Sequence, residues 1–200
     1  MLPLISLVNP AWTPNPWAAV VLSVLILAFA PSEVIYRKHG NIKSAEDRHS
    51  SWIILTSTFV NVGAFIFFCS RGIGTIPWHA QWVSLCGLLI CAVGVGMRYW
   101  AIITLGRFFT SAVMVQSDQS VIAHGPFRFI RHPGYAGALL FGVGGALACA
   151  NWAAMLFFVL CHGAAFRYRV TLEEAVMLTH FGSTYAAYQA CTWRFLPFVY

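Results

Sequence analysis

The apolar positions of this chain fall in long uninterrupted blocks rather than in the alternating pattern of a strand or on one face of a surface helix. Trp17 to about Tyr36, Trp52 to Cys69 and Trp82 to about Leu105 are each long enough for a membrane-crossing helix, which takes roughly 20 residues. Pro14 and Pro16 precede the first block, and Pro31 predicts a kink near its inner end. All three open on Trp, a residue that favours the headgroup level. The fourth block, Gly134 to Phe166, holds no charged residue over 33 positions. As one helix it would extend about 50 Å, well past a hydrocarbon core of about 30 Å, so it must fold back. Asn151-Trp152 is the expected hinge, and Gly137, Gly142, Gly144 and Gly145 let another helix approach closely. The pattern predicts an all-α integral membrane protein with about five transmembrane helices, the last two a tight helical hairpin. From Arg167 to Ala190 polar and apolar residues mix, which predicts a C-terminal cytosolic amphipathic helix.

Composition agrees and narrows the class. The chain has 200 residues, 59% of them apolar and only 9% charged. Its mean hydropathy is +0.71. Soluble domains carry about a quarter charged residues, so an ordinary soluble globule, a disordered segment and a nucleic-acid-binding module are all excluded. The length leaves no room for a separate soluble domain, and no signal peptide is expected, because the N-terminus lacks a basic leader region. We divide the chain into 1–104, N-terminal transmembrane helices, and 105–200, a region carrying the chemistry, within one integrated domain.

The placement of charge orients the chain. Arg37, Lys38, Lys43 and Arg48 lie between spans one and two, Arg107, Arg128 and Arg131 between span three and the hairpin, and Arg167, Arg169 and Arg194 after it. The opposite side has only Arg71, and Arg98 is expected to snorkel from span three. The N-terminus is therefore expected outside and the C-terminus in the cytosol, in the plasma membrane of a prokaryote or the endoplasmic reticulum of a eukaryote. Six cysteines, at 69, 86, 91, 149, 161 and 191, show no metal-ligand or redox spacing and read as small buried hydrophobes.

Two segments bracket the hairpin and must meet at its base. In the first, Gly125 to Gly137, Pro133 forces His132 out of helical geometry and suits the first helical position. A helix starting there would aim N–H groups at the cytosolic boundary and could hold a carboxylate or phosphate. Alternatively His132 only caps a helix and the arginines anchor headgroups. In the second segment Arg169 and Glu173 are four apart and share a helix face. They could form a helix-supporting ion pair, but Glu before Arg is the better order for that, and here it is reversed. Glu33 is expected to pair with a nearby base. Asp118 with Gln116 and Gln119 forms a polar patch that is either loop or pocket lining. No cluster has the spacing of a metal site, and no nucleotide-binding glycine fingerprint occurs.

Taken together, Leu105-Gly106, Phe109-Thr110, Gly125-Pro126-Phe127-Arg128, Arg131-His132-Pro133 with Tyr135 and Gly137, Arg169 with Glu173-Glu174, Phe181-Gly182 with Tyr185 and Tyr188, and Pro197 resemble the isoprenylcysteine carboxyl methyltransferase family. The resemblance covers roughly residues 105 to 200; the first hundred match only as hydrophobic spans. It implies a membrane enzyme that moves a methyl group from S-adenosyl-L-methionine to a carboxylate on a lipid-modified cysteine. It further implies a cofactor pocket formed by Gln116, Gln119, Ser120, Val121, Ile122, Phe127, His132, Pro133, Gly134, Tyr135 and Glu173, with Arg169 facing the substrate. Phe127 stands where the family usually has Tyr, and Gln119 where many members have His.

The residues suit those roles. A carboxylate, with a pKa near ~4, is already ionised at pH 7, so its methylation needs positioning and exclusion of water rather than a general base. Arg169 can hold a carboxylate through its planar fork of donors, with Glu173 balancing positive charge. The expected partners are a lipid-like carboxylate substrate and membrane lipids, with no nucleic acid and no metal. Three other readings stand beside this one: an NADPH-dependent membrane sterol-type reductase, a phospholipid N-methyltransferase and a non-enzymatic membrane scaffold. The amine acceptor of the second would be repelled by Arg169.

Overall fold

A computed structural model describes residues 7–38, 49–109 and 118–195. Among these described residues six α-helices follow in order: α1 (Pro16–Lys38), α2 (Ser50–Arg71), α3 (Ala80–Leu105), α4 (Pro133–Ala148), α5 (Trp152–Phe181) and α6 (Ser183–Ala190). Among the described residues there is no strand, only two isolated bridges, Thr75 with Asn151 and Ile130 with Trp193.

By length and composition four helices can cross a membrane: α1, α2, α3 with the short turn after it, and α5. At 16 residues α4 reaches only about 24 Å, short of a ~30 Å core. The expected set of about five therefore resolves into four long helices and one short one. The hinge falls where the sequence places it. Asn151 caps α5, its side chain accepting from the Ala154 N–H at 2.8 Å.

The glycines of α4 do admit another helix, and that helix is mainly α3. A Cβ on Gly144 would lie 2.4 Å from the Cys91 nitrogen, and one on Gly94 would lie 2.6 Å from the Gly137 oxygen. Gly87 and Gly94 on α3 and Gly137 and Gly144 on α4 are both seven apart, so each pair lines one seam and the two backbones touch. The seam is closed at its outer end by the Ser84 hydroxyl, which donates to the Ala148 carbonyl at 2.7 Å. Gly142 faces α5 instead, against the Phe158 ring. A buried polar group ties α2 to α5: His162 Nδ1 lies 3.0 Å from Ser57 Oγ and 3.3 Å from Asn61 Nδ2.

Three expectations are corrected. The segment Arg167–Ala190 is not a separate amphipathic helix: α5 runs unbroken through it to Phe181 and only α6 stands apart. No Gly or Pro occurs between Ala164 and Phe181 to end the helix, and the break comes at Gly182, where φ is 54°. Arg98 does not snorkel. It is 3% exposed, its Nη2 lies 2.6 Å from Glu33, its Nε donates to Ser32 and its Nη1 donates to the Gly134 carbonyl. A partly exposed carboxylate and two neutral acceptors within reach satisfy the guanidinium where it stands, so it need not stretch to the headgroups. Glu33 thus has the basic partner expected of it. Among the cysteines only Cys91 and Cys149 are buried, while Cys86 and Cys191 are exposed.

Candidate active site

The end of the hairpin away from the Asn151 elbow holds a cavity. With its open mouth included, the space it bounds is roughly 950 Å³. Gln119, Ser120, Val121 and Ile122 enter from the extended segment before Gly125, Phe127 and His132 from the connection to α4, Pro133, Gly134 and Tyr135 from the first turn of α4, and Arg169 and Glu173 from α5. Every proposed site residue that the structure describes lies on this one wall. Gln116 lies outside the described residues, as do Thr110 and Pro197 of the sequence pattern.

Pro133 is the first helical residue of α4, a position its ring geometry suits, and His132 before it is held out of helical geometry, with φ −125° and ψ 57°. The imidazole does not cap α4. Its Nε2 lies 3.1 Å from Glu174 Oε1. Glu174, 4% exposed at its side chain, also accepts from Arg131 Nε at 2.8 Å and from Arg194 through Nε at 2.9 Å and Nη2 at 2.6 Å. One carboxylate on α5 thus collects two arginines and a histidine from the two segments flanking the cavity. Backbone bonds reinforce the junction: Arg131 N–H donates to Trp193 O at 2.7 Å, His132 N–H to Arg194 O at 3.1 Å and Trp193 N–H to Phe129 O at 3.0 Å. Segment 129–132 is in this way laced to 193–194.

The neighbouring Glu173 faces the cavity. The Tyr135 hydroxyl donates to its Oε2 at 3.0 Å and accepts from Arg169 Nε at 3.2 Å, so one phenol joins the two candidate charged residues. Arg169 is 1% exposed. Its Nη1 donates to Ser50 Oγ at 2.7 Å and Ser51 Oγ at 3.0 Å, at the start of α2. The Tyr135 ring is fixed in turn against Phe166, with centroids 4.9 Å apart. Behind the site, Tyr188 donates to the Phe127 carbonyl at 2.7 Å. Burial pushes the Tyr188 phenol up to about 12 and the Tyr185 phenol higher still, so both remain protonated at neutral pH. Of the polar patch, Gln119 lines the cavity, while Asp118 pairs with Arg107 at an exposed surface.

Sequence reasoning missed several cavity residues. Val176 and Met177 line it because they follow Glu173 by three and four positions on the same helix face, a periodicity that could have found them. Arg98 lines it too, and the signal was an arginine inside an apolar span. Glu174 stands directly beside a proposed site residue, yet its role depends on partners 20 to 43 residues away. Among the described residues no group of three His, Cys, Asp or Glu side chains could hold a metal ion.

The chain matches the model of the isoprenylcysteine carboxyl methyltransferase (ICMT) family over residues 86–179, bearing out the resemblance read from its motifs. It is 31% identical over 121 residues to the protein-S-isoprenylcysteine O-methyltransferase of Tribolium castaneum, a match covering 60% of this chain and 43% of that protein. To the probable protein-S-isoprenylcysteine O-methyltransferase of Oryza sativa subsp. indica it is 33% identical over 119 residues, covering 58% and 62% respectively. The chain therefore spans less than two thirds of the length of these curated relatives. Its fold is similar to a solved structure of the eukaryotic intramembrane Ras methyltransferase ICMT, with a TM-score of 0.61 and 22% identity over 92% of this chain and 66% of that one.

Proposed function

We propose that the chain, which matches the isoprenylcysteine carboxyl methyltransferase family model over residues 86–179, is a member of that family and transfers a methyl group from S-adenosylmethionine to the carboxylate of a lipid-modified, prenylcysteine-like acceptor, giving a methyl ester. The observation that carries this reading is the Tyr135 hydroxyl joining Arg169 to Glu173 on the wall of a cavity at the end of the hairpin. Methyl transfer onto a carboxylate asks for an anion holder and a counter-charge for a cationic donor, side by side and out of water. Arg169 and Glu173 have those charges.

The residues fit the cofactor. S-adenosylmethionine is a cation with an aromatic base, a ribose diol and an amino-acid end, and the cavity offers Phe127 and Tyr135 rings, the Glu173 carboxylate and the polar Gln119 and Ser120. When bound it supplies an electrophilic methyl group on a sulfonium. Arg169 holds the acceptor carboxylate through its guanidinium fork, oriented by Ser50, Ser51 and Tyr135. Glu173 offsets the positive charge gathered around it, and Val176 and Met177 exclude water, which leaves the carboxylate a better nucleophile. No side chain has to take a proton.

In this reading residues 1–104 are mainly scaffold and 105–200 the catalytic region, joined into one domain where Arg98, Ser50 and Ser51 reach the site. The N-terminus lies outside and the C-terminus in the cytosol, so the polar cofactor enters from the cytosol and the lipid acceptor from the bilayer. Incubating the purified chain with methyl-labelled S-adenosylmethionine and a prenylcysteine tests the proposal. Base-labile label on the prenylcysteine is expected. Binding of NADPH in place of S-adenosylmethionine, or an unlabelled acceptor beside bound cofactor, would overturn it.

A further inference from the structure

At the end of the molecule away from the cavity, the loop after α2 is laced to the elbow between α4 and α5. Ile76 N–H donates to the Ala150 carbonyl at 2.7 Å, and Trp152 N–H donates to the Gly74 carbonyl at 2.9 Å. Asn151 Nδ2 donates to the Ile73 carbonyl at 2.9 Å. The approach is so close that a Cβ on Gly74 would lie 2.3 Å from the Ala153 Cβ. This docking sets the last turn of α2 against the end of α4. Cys69 packs against the apolar cluster that contains Cys149, and the two thiols are within hydrogen-bonding reach of each other.

The depth of the pair matters as much as its contact. Cys69 is two residues before the end of α2 and Cys149 directly follows α4. Trp78, Trp82 and Trp152, each at least half exposed, lie on the adjoining segments and mark the headgroup level. The thiols are therefore near the water boundary. In the orientation proposed above that boundary is the exoplasmic one, facing the periplasm or the endoplasmic reticulum lumen, and both compartments are oxidising.

We propose that Cys69 and Cys149 form a disulfide that staples α2 to the α4–α5 elbow, made by exchange with a protein or small-molecule disulfide of the exoplasmic compartment. Cys69 is half-buried and Cys149 buried, so the Cys69 thiolate attacks the oxidant's disulfide and expels one of its sulfurs as a thiolate. The Cys149 thiolate then attacks the Cys69 sulfur of the mixed disulfide and displaces the other. One S–S bond forms in the chain and one breaks in the oxidant, which gains two electrons and two protons. The staple acts on a loosely embedded helix: only 11% of the α2 window is buried within the molecule. The opposite end of that helix carries Ser50 and Ser51, which hold Arg169. The proposal rests on the orientation, not on the methyl-transfer chemistry.

The test begins with membranes quenched in acid from cells making the full chain, alkylated with N-ethylmaleimide and peptide-mapped without reductant. The expected product is a cross-linked pair containing Cys69 and Cys149. In parallel, purified protein is reduced and then treated with oxidised glutathione, which should raise its thermal midpoint by a few degrees in the unaltered chain and not in Cys69→Ala or Cys149→Ala. Alkylation of both cysteines in the cell-derived sample, pairing of Cys69 with any other cysteine, or a midpoint rise that survives in the variants overturns the proposal. The peptide map needs no variant to fold. If the purified protein cross-links but the cell-derived protein does not, the failure lies in the orientation and leaves the methyltransferase reading standing.

Discussion

Replacing Glu174 with Gln tests whether one carboxylate holds the cavity walls in place. The side chain is 4% exposed and accepts four contacts, at 2.8, 3.1, 2.9 and 2.6 Å, from Arg131, His132 and the Nε and Nη2 of Arg194. Gln has the same shape but keeps only one acceptor oxygen; its amide presents donors to donors at the other. Removing one partner from a buried ion pair costs about 3–5 kcal/mol. Arg194 is 24% exposed and can turn partly to water, which places the expected loss near ~3 kcal/mol. Against a total stability of about 5–15 kcal/mol that loss is large. Denaturation of the detergent-purified variant should show it, and S-adenosylmethionine affinity should fall as the segment from Phe129 to His132 loosens. A double-mutant cycle with Arg194→Gln should return a coupling of about 1–3 kcal/mol. A variant within ~1 kcal/mol of the parent, with unchanged cofactor affinity, would show that the junction is held by packing and backbone bonds instead.

Arg169→Ala should lower kcat/KM for the prenylcysteine acceptor about 100-fold, since two charge-assisted hydrogen bonds at ~1.5 kcal/mol each are lost. Cofactor affinity, measured by titration, should stay within about threefold, and full activity would remove Arg169 from the acceptor site. Glu173→Gln should instead raise the dissociation constant for S-adenosylmethionine about tenfold, equivalent to ~1.4 kcal/mol, with unchanged binding sinking the counter-charge role. Gly144→Val should lower the thermal midpoint, because its Cβ would fall 2.4 Å from the Cys91 nitrogen and overpacking costs about 1–3 kcal/mol or more. Gly163→Ala, with nothing within 4 Å of its Cβ, is the control and should leave the midpoint unchanged.

What could be read ahead of the structure follows from the range of the forces involved. The hairpin hinge was legible because it depends on local chemistry: a block too long to cross once, and an Asn able to cap the helix after it. Pro133 was legible for the same reason. The seam of Gly137 and Gly144 was visible as a feature, but its partners Gly87 and Gly94 were not, because one sequence does not say which helix comes close. The unbroken α5 was misread because a change of polarity was taken for a change of element. Arg98 was misplaced for want of Glu33 and Ser32, which lie 65 and 66 positions away. Glu174 is named in the sequence pattern, but its role is not legible there, because its donors come from Arg131, His132 and Arg194, 20 to 43 positions away. Motif resemblance recovered the cavity wall where local physics could not, since its spacing records which distant residues share a pocket.

A final regularity concerns height along the bundle. Glu33 comes 17 residues after the start of α1, Arg98 comes 18 after the start of α3 and Arg169 comes 17 after the start of α5. At 1.5 Å per residue each stands about 26 Å from the outer end of its helix. Counted back from the elbow, Pro133 is 15 residues from Ala148, about 23 Å. Groups from four helices therefore occupy nearly one level, at a height a little short of the thickness of a core of about 30 Å. The short length of α4 creates this arrangement: had it spanned fully, its first turn would open into water above Arg169. Ending early, it keeps its first turn at the level of Arg169. Under the proposed orientation and activity, an acceptor held by its lipid tail in the cytosolic leaflet would present its carboxylate at that level without leaving the bilayer, and the depth of the site would supply the dehydration that favours methyl transfer.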